Sequence, residues 1–331
     1  MNPLVSVILP VRDGGAYLAG AVASILDQSF SSLELILVND HSEDESITGL
    51  AQQDTRLRIL DNPGRGVAQA FEHGLGHAQG RFVARMDADD LAMPDRLEVQ
   101  LNYLESYPEI DICGACVEIF AQHELAGGNL RYQNWLNACR TAEQIHREMF
   151  IESPIPNPTA LFRREAIDRL GAYRDPDWPE DYDLFLRADA CGMRMGKPDE
   201  ILLKWREHDQ RLTRTDSRYD IARFQAAKAH YLVANRLQGR PVVIWGAGPT
   251  GRLMHDLLRA EGAQIRGFLE VHPRRIGGSK RNLPVWPIDR VATLKDEFIL
   301  VAVGAAGARE KIRSWMSRSE MEEGRDYLFV A

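Results

Sequence analysis

Three aspartates follow a short apolar run, and residues of this type at this spacing are typical of a metal site. Asp87, Asp89 and Asp90 come directly after 81–86, and a helical pattern restarts at Pro94. Carboxylates at the carboxyl end of a strand lie where open α/β sheets bind ligands, and their hard oxygens suit Mg²⁺ or Mn²⁺ carrying a diphosphate. The alternative is an Asp-rich turn between a strand and a helix, the default for an isolated match. Accompanying motifs must decide between the two.

The elements that would position these aspartates alternate along the first half of the chain. Apolar runs predict strands over 4–9, 33–38, 57–60 and 82–86, and helical periodicity predicts helices over 15–28, 43–53, 66–79, 94–106 and 141–149. Such alternation predicts an α/β fold whose parallel sheet has helices on both faces. The pattern weakens over 120–150, and a Pro-rich stretch follows at 153–158, so we expect a flexible region there.

A second, smaller α/β domain is predicted after a long amphipathic stretch that ends near residue 238. Gly246, Gly248 and Gly251 form a GxGxxG pattern directly after a strand-like run, and Glu270 ends the next such run. This context is typical of a nucleotide phosphate bound at a helix N-terminus. The segment is only half of a full dinucleotide fold. We therefore expect domains at 1–238 and 239–331, the second of which either binds a nucleotide or nucleotide sugar or only packs and dimerises.

The bulk composition argues against two classes of partner. The chain has 331 residues and a net charge of -8, whereas nucleic-acid binding depends on clustered Lys and Arg, so we expect no nucleic-acid partner. No apolar run approaches the roughly 20 residues that cross a bilayer. The amino terminus has no charged leader or long apolar stretch, so we interpret it as the first strand and expect a cytoplasmic location.

Further motifs accompany the aspartates in a fixed order. They are VSVILPV at 5–11, LILVNDHS at 35–42, MDADD at 86–90, NPTALFRR at 157–164, PEDYDLFLR at 179–187 and LLKWREH at 202–208. This ordered set resembles the family 2 glycosyltransferases of the GT-A fold and spans nearly all of 4–215. The resemblance implies a mixed sheet with helices on both faces. It also implies an enzyme that transfers a sugar from a nucleoside diphosphate with inversion of configuration at the anomeric carbon.

The resemblance also implies the roles of four residues. Asp87 and Asp89 match the family's DXD motif, with Asp89 as a direct ligand of Mn²⁺ or Mg²⁺ and Asp87 shared between the metal and the ribose. His208 matches a histidine that completes the coordination. The cation would neutralise charge on the departing diphosphate. Asp181 matches the general base that deprotonates the acceptor hydroxyl.

Simpler interpretations exist for the residues outside the DXD motif. Without the family context, His208 is more typical of an exposed loop histidine. The segment before Asp181 resembles a capping box, and acids are favoured in the first turn of a helix by its dipole. The two interpretations of this segment are compatible, and we expect Glu180 and Trp178 on the acceptor side.

The resemblance implies that the donor nucleotide binds at the carboxyl ends of the first strands. The predicted contacts are Pro10, Val11, Asp13, Asp40, Arg65 and Asp87. A carboxylate such as Asp40 can accept from a base N–H or a ribose hydroxyl, whereas Arg65 either reaches the base or phosphates or is a solvated loop arginine. His41 stands where the family often has glycine, and Phe71 and Glu72 where Arg-Asn is common. The base therefore stays open, with uridine as the family expectation and guanosine or thymidine as alternatives.

The carboxyl-terminal segment resembles the small nucleotide-binding domain that precedes some bacterial sugar acyltransferases, through GFLE at 267–270 and LPV at 283–285. The leading hypothesis is a transferase that uses a UDP-sugar to extend a glycan or lipid-linked acceptor in bacterial surface polysaccharide synthesis. The alternatives are an NAD(P)-dependent or nucleotide-sugar-modifying enzyme centred on this domain, and a non-catalytic scaffold that binds nucleotide sugar. Peripheral contact with the inner face of the membrane and homo-oligomerisation stay open.

Overall fold

The computed structural model describes residues 2–50 and 54–331, which form two compact units. The first consists of the described residues of Met1–His146, Pro154–Pro176 and Asp183–Asp216. The second consists of Arg147–Ser153, Asp177–Tyr182 and Ser217–Ala331. These units are defined by packing and not by independent folding, so the domain boundary near residue 238 stays a prediction.

The strands of the first unit are short and mostly buried. They are β1 (Val5–Val11), β2 (Leu33–Asn39), β3 (Leu57–Asp61), β4 (Phe82–Arg85), β5 (Leu91–Ala92), β6 (Ile112–Cys113), β7 (Cys116–Phe120), β8 (Leu161–Arg163), β9 (Met195–Gly196) and β10 (Ile201–Arg206). The helices up to residue 215 are α1 (Leu18–Leu26), α2 (Val67–His77), α3 (Arg96–Ser106), α4 (Gly127–Ala138), α5 (Ala142–Glu148), α6 (Arg164–Leu170), α7 (Glu180–Ala190) and α8 (Leu212–Thr215).

The main sheet runs in the order β3-β2-β1-β4-β8-β6-β9, with β3, β2, β1 and β4 parallel and β8 antiparallel to its neighbours. Every residue of β1 is buried, as expected for a strand covered on both faces. One face packs against α1 and α3 in a single apolar core. On the other face, α2 approaches so closely that a Cβ on Gly74 would lie 2.7 Å from Ile8. The fold is thus the expected mixed sheet with helices on both faces.

A second, smaller sheet brings distant parts of the sequence to the end of β4. Its order is β5-β10-β7, with β10 antiparallel to β5 and parallel to β7. Lys204 pairs with Leu91, and Arg206 pairs with Phe120. The end of β10 therefore lies beside the loop between β4 and β5, which carries the three aspartates.

The second unit contains another mostly parallel sheet. Its elements are α9 (Ile221–Tyr231), β11 (Val242–Trp245), α10 (Pro249–Ala260), β12 (Ile265–Glu270), β13 (Ser279–Lys280), β14 (Leu283–Pro287), β15 (Phe298–Val301), α11 (Ala308–Arg318) and β16 (Tyr327–Phe329). The order is β13-β14-β12-β11-β15-β16, in which only the β13–β14 pair is antiparallel. With β11 counted as the first strand, the parallel strands follow the order 3-2-1-4-5 of a doubly wound sheet.

Among the described residues, one predicted helix is absent, and a helix that was not predicted is present. Residues 43–50 form turns instead of the beginning of a helix over 43–53, and 51–53 lie outside the described residues. In this segment the N–H groups of Glu43 and Asp44 donate to Asp13 at 2.7 and 3.4 Å, which ties the turns to the loop after β1. The unpredicted helix is α4, which lies within 120–150, where the sequence pattern predicts a flexible region. Its Gln133 and Asn137 side chains bond to the main chain of β7, which local periodicity does not reveal.

Among the described residues, no helix is both long and apolar enough to cross a bilayer.

Candidate active site

The three aspartates of the predicted metal site form one cluster. They lie in the loop between β4 and β5, and one carboxylate oxygen from each falls within 4.8 Å of the others. Among the described residues, this is the one group of three or more Asp, Glu, His or Cys side chains close enough to hold an ion. Asp90 is buried, whereas the side chains of Asp87 and Asp89 are 29% and 28% exposed. A ligand can therefore reach the cluster from one side.

The electrostatics of the cluster favour a cation. Burial raises the pKa of Asp87, opposed by Arg85, whose Nη2 lies 2.6 Å from the Asp87 carboxylate, and reinforced by the charge of Asp89. Burial, with the neighbouring carboxylates, raises the pKa of Asp90 well above its ordinary value. Asp90 accepts one hydrogen bond at Oδ1, but its buried Oδ2 has no hydrogen-bond partner. A hard divalent cation would relieve both the mutual repulsion and this unsatisfied oxygen, so the residues fit Mg²⁺ or Mn²⁺.

His208 lies beside this cluster. It follows β10, and its Nε2 is 2.8 Å from Oδ2 of Asp89. Its ring packs against Tyr17 at a centroid distance of 5.3 Å, and only 20% of its side chain is exposed. The structure thus brings together the histidine and the aspartate that the sequence analysis assigned to one metal, and His208 is not a freely solvated loop residue.

Sequence reasoning missed Arg206, two positions before His208. Its Nε donates to the main-chain oxygen of Asp89 at 2.7 Å, and its guanidinium carbon lies 4.2 Å from the ring centroid of Tyr17 and 4.5 Å from that of Phe120. The signal available in the sequence was its position inside the LLKWREH motif.

Arg96 was also missed, although it lies beneath the aspartates. It is completely buried, donates to the main-chain oxygen of Arg85 at 2.9 Å and to Oε1 of Gln100 at 3.1 Å, and has its pKa lowered by burial to about 10. Its charge opposes part of the repulsion in the cluster above it, since Asp90 and Asp87 both favour its charged form. A single arginine at the start of a helix gives no sequence signal for this role.

The loops predicted to bind the donor nucleotide are tied to each other. Pro10 and Val11 end β1 and are buried. The N–H of Asp40 donates to the main-chain oxygen of Val11 at 2.7 Å. Asp13 has a left-handed φ of 52°, and its N–H donates to the hydroxyl of Ser42 at 3.0 Å. The loop after β1 and the loop after β2 therefore form one rigid edge of the sheet, where a nucleotide would lie in the predicted arrangement.

Asp40 has a structural role that the sequence did not indicate. Its carboxylate accepts from the side chain of Asn62 at 2.7 Å and from the N–H of Gly66 at 2.9 and 3.0 Å. Gly66 directly precedes α2, so the buried Asp40 fixes the start of that helix. Arg65 is exposed beside it. Nucleotide contacts by Asp40 and Arg65 stay predictions.

The predicted base lies in the second unit, at the start of α7. Asp181 is half-buried, and its Oδ1 accepts from the N–H of Tyr182 at 2.7 Å. Glu180 is buried and accepts from the hydroxyl of Tyr219 at 2.7 and 2.9 Å, while burial and then Glu180 raise the pKa of that tyrosine well above its ordinary value. Trp178 packs its ring 5.4 Å from that of His230. Acceptor contacts by Glu180 and Trp178 stay predictions.

The glycine motif of the second unit has the geometry of a tight strand-to-helix turn. Gly246 has a left-handed φ of 117°, and a Cβ on Gly251 would lie 1.9 Å from the main-chain oxygen of Gly246. A Cβ on Gly248 would meet nothing within 4 Å. Glu270 accepts from the N–H of Val271 and from Arg275 at 2.9 and 3.0 Å. Burial raises the pKa of Glu270, but these hydrogen bonds outweigh it and the pKa lies below the ordinary value.

Comparison with known proteins gives the class. Residues 6–171, half of the chain, match the model of glycosyl transferase family 2. The chain is 31% identical over 235 residues to an uncharacterized glycosyltransferase of Haemophilus influenzae, covering 68% of this chain and 71% of that protein. It is 29% identical over 187 residues to the amylovoran biosynthesis glycosyltransferase AmsE of Erwinia amylovora, covering 55% and 68%. The chain therefore belongs to glycosyl transferase family 2.

Solved structures agree on the fold. S. aureus TarS 1-349 in complex with UDP-GlcNAc superimposes with a TM-score of 0.57 at 15% identity, over 78% of this chain and 72% of that one. The mannosyltransferase PcManGT of Pyrobaculum calidifontis, in complex with GDP-Man and Mn²⁺, gives a TM-score of 0.50 at 21% identity, over 70% and 63%. This chain spans 41% of a longer TarS chain. At such identities the likeness shows the GT-A type of fold.

Proposed function

We propose that the protein is a metal-dependent, inverting glycosyltransferase that moves a sugar from a UDP-sugar to a hydroxyl of a glycan or lipid-linked acceptor. The observation that carries the proposal is the cluster of Asp87, Asp89 and Asp90 with His208 in contact with it. It lies at the carboxyl edge of the sheet, where α/β folds bind ligands.

Within this proposal, the aspartates and His208 hold the diphosphate end of the donor. Asp89 and His208 offer an oxygen and a nitrogen that already face each other. Asp87 belongs to the same cluster, and we propose that it is shared between the cation and the ribose. When bound, Mn²⁺ or Mg²⁺ supplies Lewis-acid stabilisation of the charge that develops on the leaving diphosphate. Arg85 keeps the Asp87 carboxylate in place through its 2.6 Å ion pair.

Asp181 is proposed as the general base. It would accept the proton of the acceptor hydroxyl as that oxygen attacks the anomeric carbon, from the side opposite the departing diphosphate, so the product would have inverted configuration. Its half-exposed carboxylate at the start of a helix is suited to this, because one oxygen is oriented by the N–H of Tyr182.

The substrate class is proposed from the relatives. A relative named for amylovoran biosynthesis supports a role in bacterial surface polysaccharide synthesis. The structural neighbours were crystallised with UDP-GlcNAc and with GDP-Man, so guanosine is the alternative base. We propose a cytoplasmic location, with peripheral contact at the inner face of the membrane and self-association as further proposals.

Calorimetric titration tests the function. UDP, GDP and dTDP are titrated into the full chain with Mn²⁺ and with EDTA. Binding of one diphosphate that needs Mn²⁺ and is lost in Asp89→Ala supports the proposal and identifies the donor class. Equal binding with Mn²⁺ and with EDTA would reject the metal-dependent site.

A second candidate function belongs to the second unit, and the close strand-to-helix turn at Gly246 and Gly251 favours it. We propose Gly246, Gly248, Gly251 and Glu270 as a nucleotide or nucleotide-sugar site. A titration of NADH into the same full chain tests the oxidoreductase alternative. Heat with NADH, but none with any diphosphate in the presence of Mn²⁺, would move the chemistry to this unit and reject the transferase proposal.

A further inference from the structure

Arg206 connects the acidic motif to two other parts of the first unit. Its backbone N–H donates to Oδ1 of Asp90 at 2.8 Å, and its Nε donates to the main-chain oxygen of Asp89 at 2.7 Å. Its guanidinium lies over the rings of Tyr17 and Phe120 at 4.2 and 4.5 Å. One side chain thus links the residue preceding α1, the end of β7 and the aspartate loop.

We propose that Arg206 is a positioning residue, whose side chain holds the main chain at Asp89, and with it the carboxylates of the aspartate loop, in the arrangement that binds the divalent cation. The inference rests on the proposed function of these aspartates as a metal site. Arg206 offers a cation no ligand atom, so its effect is exerted through the main chain and the orientation of the carboxylates.

The aspartate loop needs such a restraint. The loop lies between the end of β4 at Arg85 and the start of β5 at Leu91, so its three aspartates belong to neither strand. Its three carboxylates lie within 4.8 Å of one another and repel when ionised. A guanidinium held between two aromatic rings has its N–H directions fixed by the plane of the group, which a lysine cannot reproduce.

The direction in which the Mn²⁺ affinity changes on substitution of Arg206 distinguishes a positioning role from an effect of its charge. Arg206 carries a positive charge beside a proposed cation site, so Coulomb repulsion alone predicts that removing this charge tightens metal binding. Positioning predicts the opposite, because groups that orient metal ligands typically contribute about 10- to 100-fold to metal affinity. A neutral substitution therefore gives opposite outcomes under the two accounts.

The experiment is a Mn²⁺ titration of the full chain, with free Mn²⁺ measured by electron paramagnetic resonance. The variants are Arg206→Lys, which keeps the charge, and Arg206→Gln, which removes it. The matched control is Arg163→Lys, because the Arg163 guanidinium also donates to main-chain oxygen, in its case that of Ile110 and that of Leu104, and lies 6.0 Å from an aromatic ring. A thermal melt of each variant shows whether it is folded.

We expect both Arg206 variants to raise the Mn²⁺ dissociation constant by about tenfold, and the Arg163 control to leave it within twofold. An unchanged or lower Mn²⁺ dissociation constant in folded Arg206→Gln would overturn the proposal. If the Arg206 variants do not fold, Phe120→Leu removes one of the two aromatic rings that contact Arg206 and leaves the arginine in place. We expect this variant to raise the Mn²⁺ dissociation constant by about threefold. An unchanged dissociation constant in Phe120→Leu would reject the positioning role of Arg206.

Failure of the underlying function has a different signature. If the unmodified chain and Asp89→Ala bind Mn²⁺ equally, the metal site itself is rejected, and the role of Arg206 with it. If Asp89→Ala loses Mn²⁺ but the Arg206 variants keep it, only the positioning role fails.

Discussion

Nε2 of His208 lies 2.8 Å from Oδ2 of Asp89, although 119 residues separate them in sequence. The small sheet explains this proximity, because β10 pairs with β5 directly after the aspartates and delivers its own end to their loop. Two residues that are far apart in sequence thus become neighbours, and each offers an atom that can bind a metal ion.

The first prediction concerns His208→Ala. Removing one proposed ligand should raise the Mn²⁺ dissociation constant by roughly tenfold, about 1.4 kcal/mol. Calorimetry with Mn²⁺ and the preferred diphosphate measures it. The control is His123→Ala, since His123 is an exposed histidine of the same unit. Equal losses in the two variants, or none in either, would count against His208 as a ligand.

The second prediction concerns Asp181→Asn. The amide keeps the size of the side chain but cannot take a proton, so transfer should fall by about 10²- to 10⁴-fold while diphosphate binding stays within twofold. Radiolabelled sugar transfer and calorimetry measure the two quantities. Asp177→Asn is the control, because the side chain of Asp177 is 90% exposed. Full activity in Asp181→Asn would remove the base assignment.

The third prediction concerns Tyr219→Phe. The hydroxyl donates to the buried carboxylate of Glu180, and phenylalanine cannot make this hydrogen bond to a charged group. We expect the free energy of unfolding to fall by about 1–3 kcal/mol, measured by urea denaturation. Tyr107→Phe, at a tyrosine that is 47% exposed, should change it little. Similar values for both variants would show that the Tyr219 hydrogen bond contributes nothing net.

The fourth prediction concerns pH. Lys197 is buried, donates to the main-chain oxygens of Leu136 and Pro154, and has its pKa lowered by burial to about 8. Its unfolded pKa is about 10.4. Between these values the unfolded chain binds more protons at this site, so the stability penalty of burying the charge is full below pH 8 and disappears as pH rises toward 10.

The measurement for Lys197 is the free energy of unfolding of the unmodified chain minus that of Lys197→Met, at a series of pH values. This difference should rise by up to about 1.4 kcal/mol per pH unit between pH 8 and 10. Lys204→Met, at a lysine whose side chain is 43% exposed, is the control for replacing a lysine with methionine. A difference for Lys197 that does not change with pH would show that its folded pKa is not lowered.

The sequence by itself determined β1 to β4 and helices α1, α2, α3 and α5, because apolar runs and 3.6-residue periodicity record which side chains must be buried. It also determined the family, through an ordered set of motifs. Hydrogen bonding between distant segments decided the rest. Asp13 accepts from the N–H groups of Glu43 and Asp44 in the turns over 43–50, and the side-chain amides of α4 accept from the main chain of β7.

The same division holds at the candidate site. Residue type and motif identified Asp87, Asp89 and His208 as candidates, but only the tertiary structure placed His208 against Asp89 and gave Asp90 a buried oxygen without a hydrogen-bond partner. The stacked position of Arg206 depends in the same way on three segments meeting in space. Local sequence records burial and turn preference, whereas hydrogen bonds, stacking and charge depend on which distant residues become neighbours.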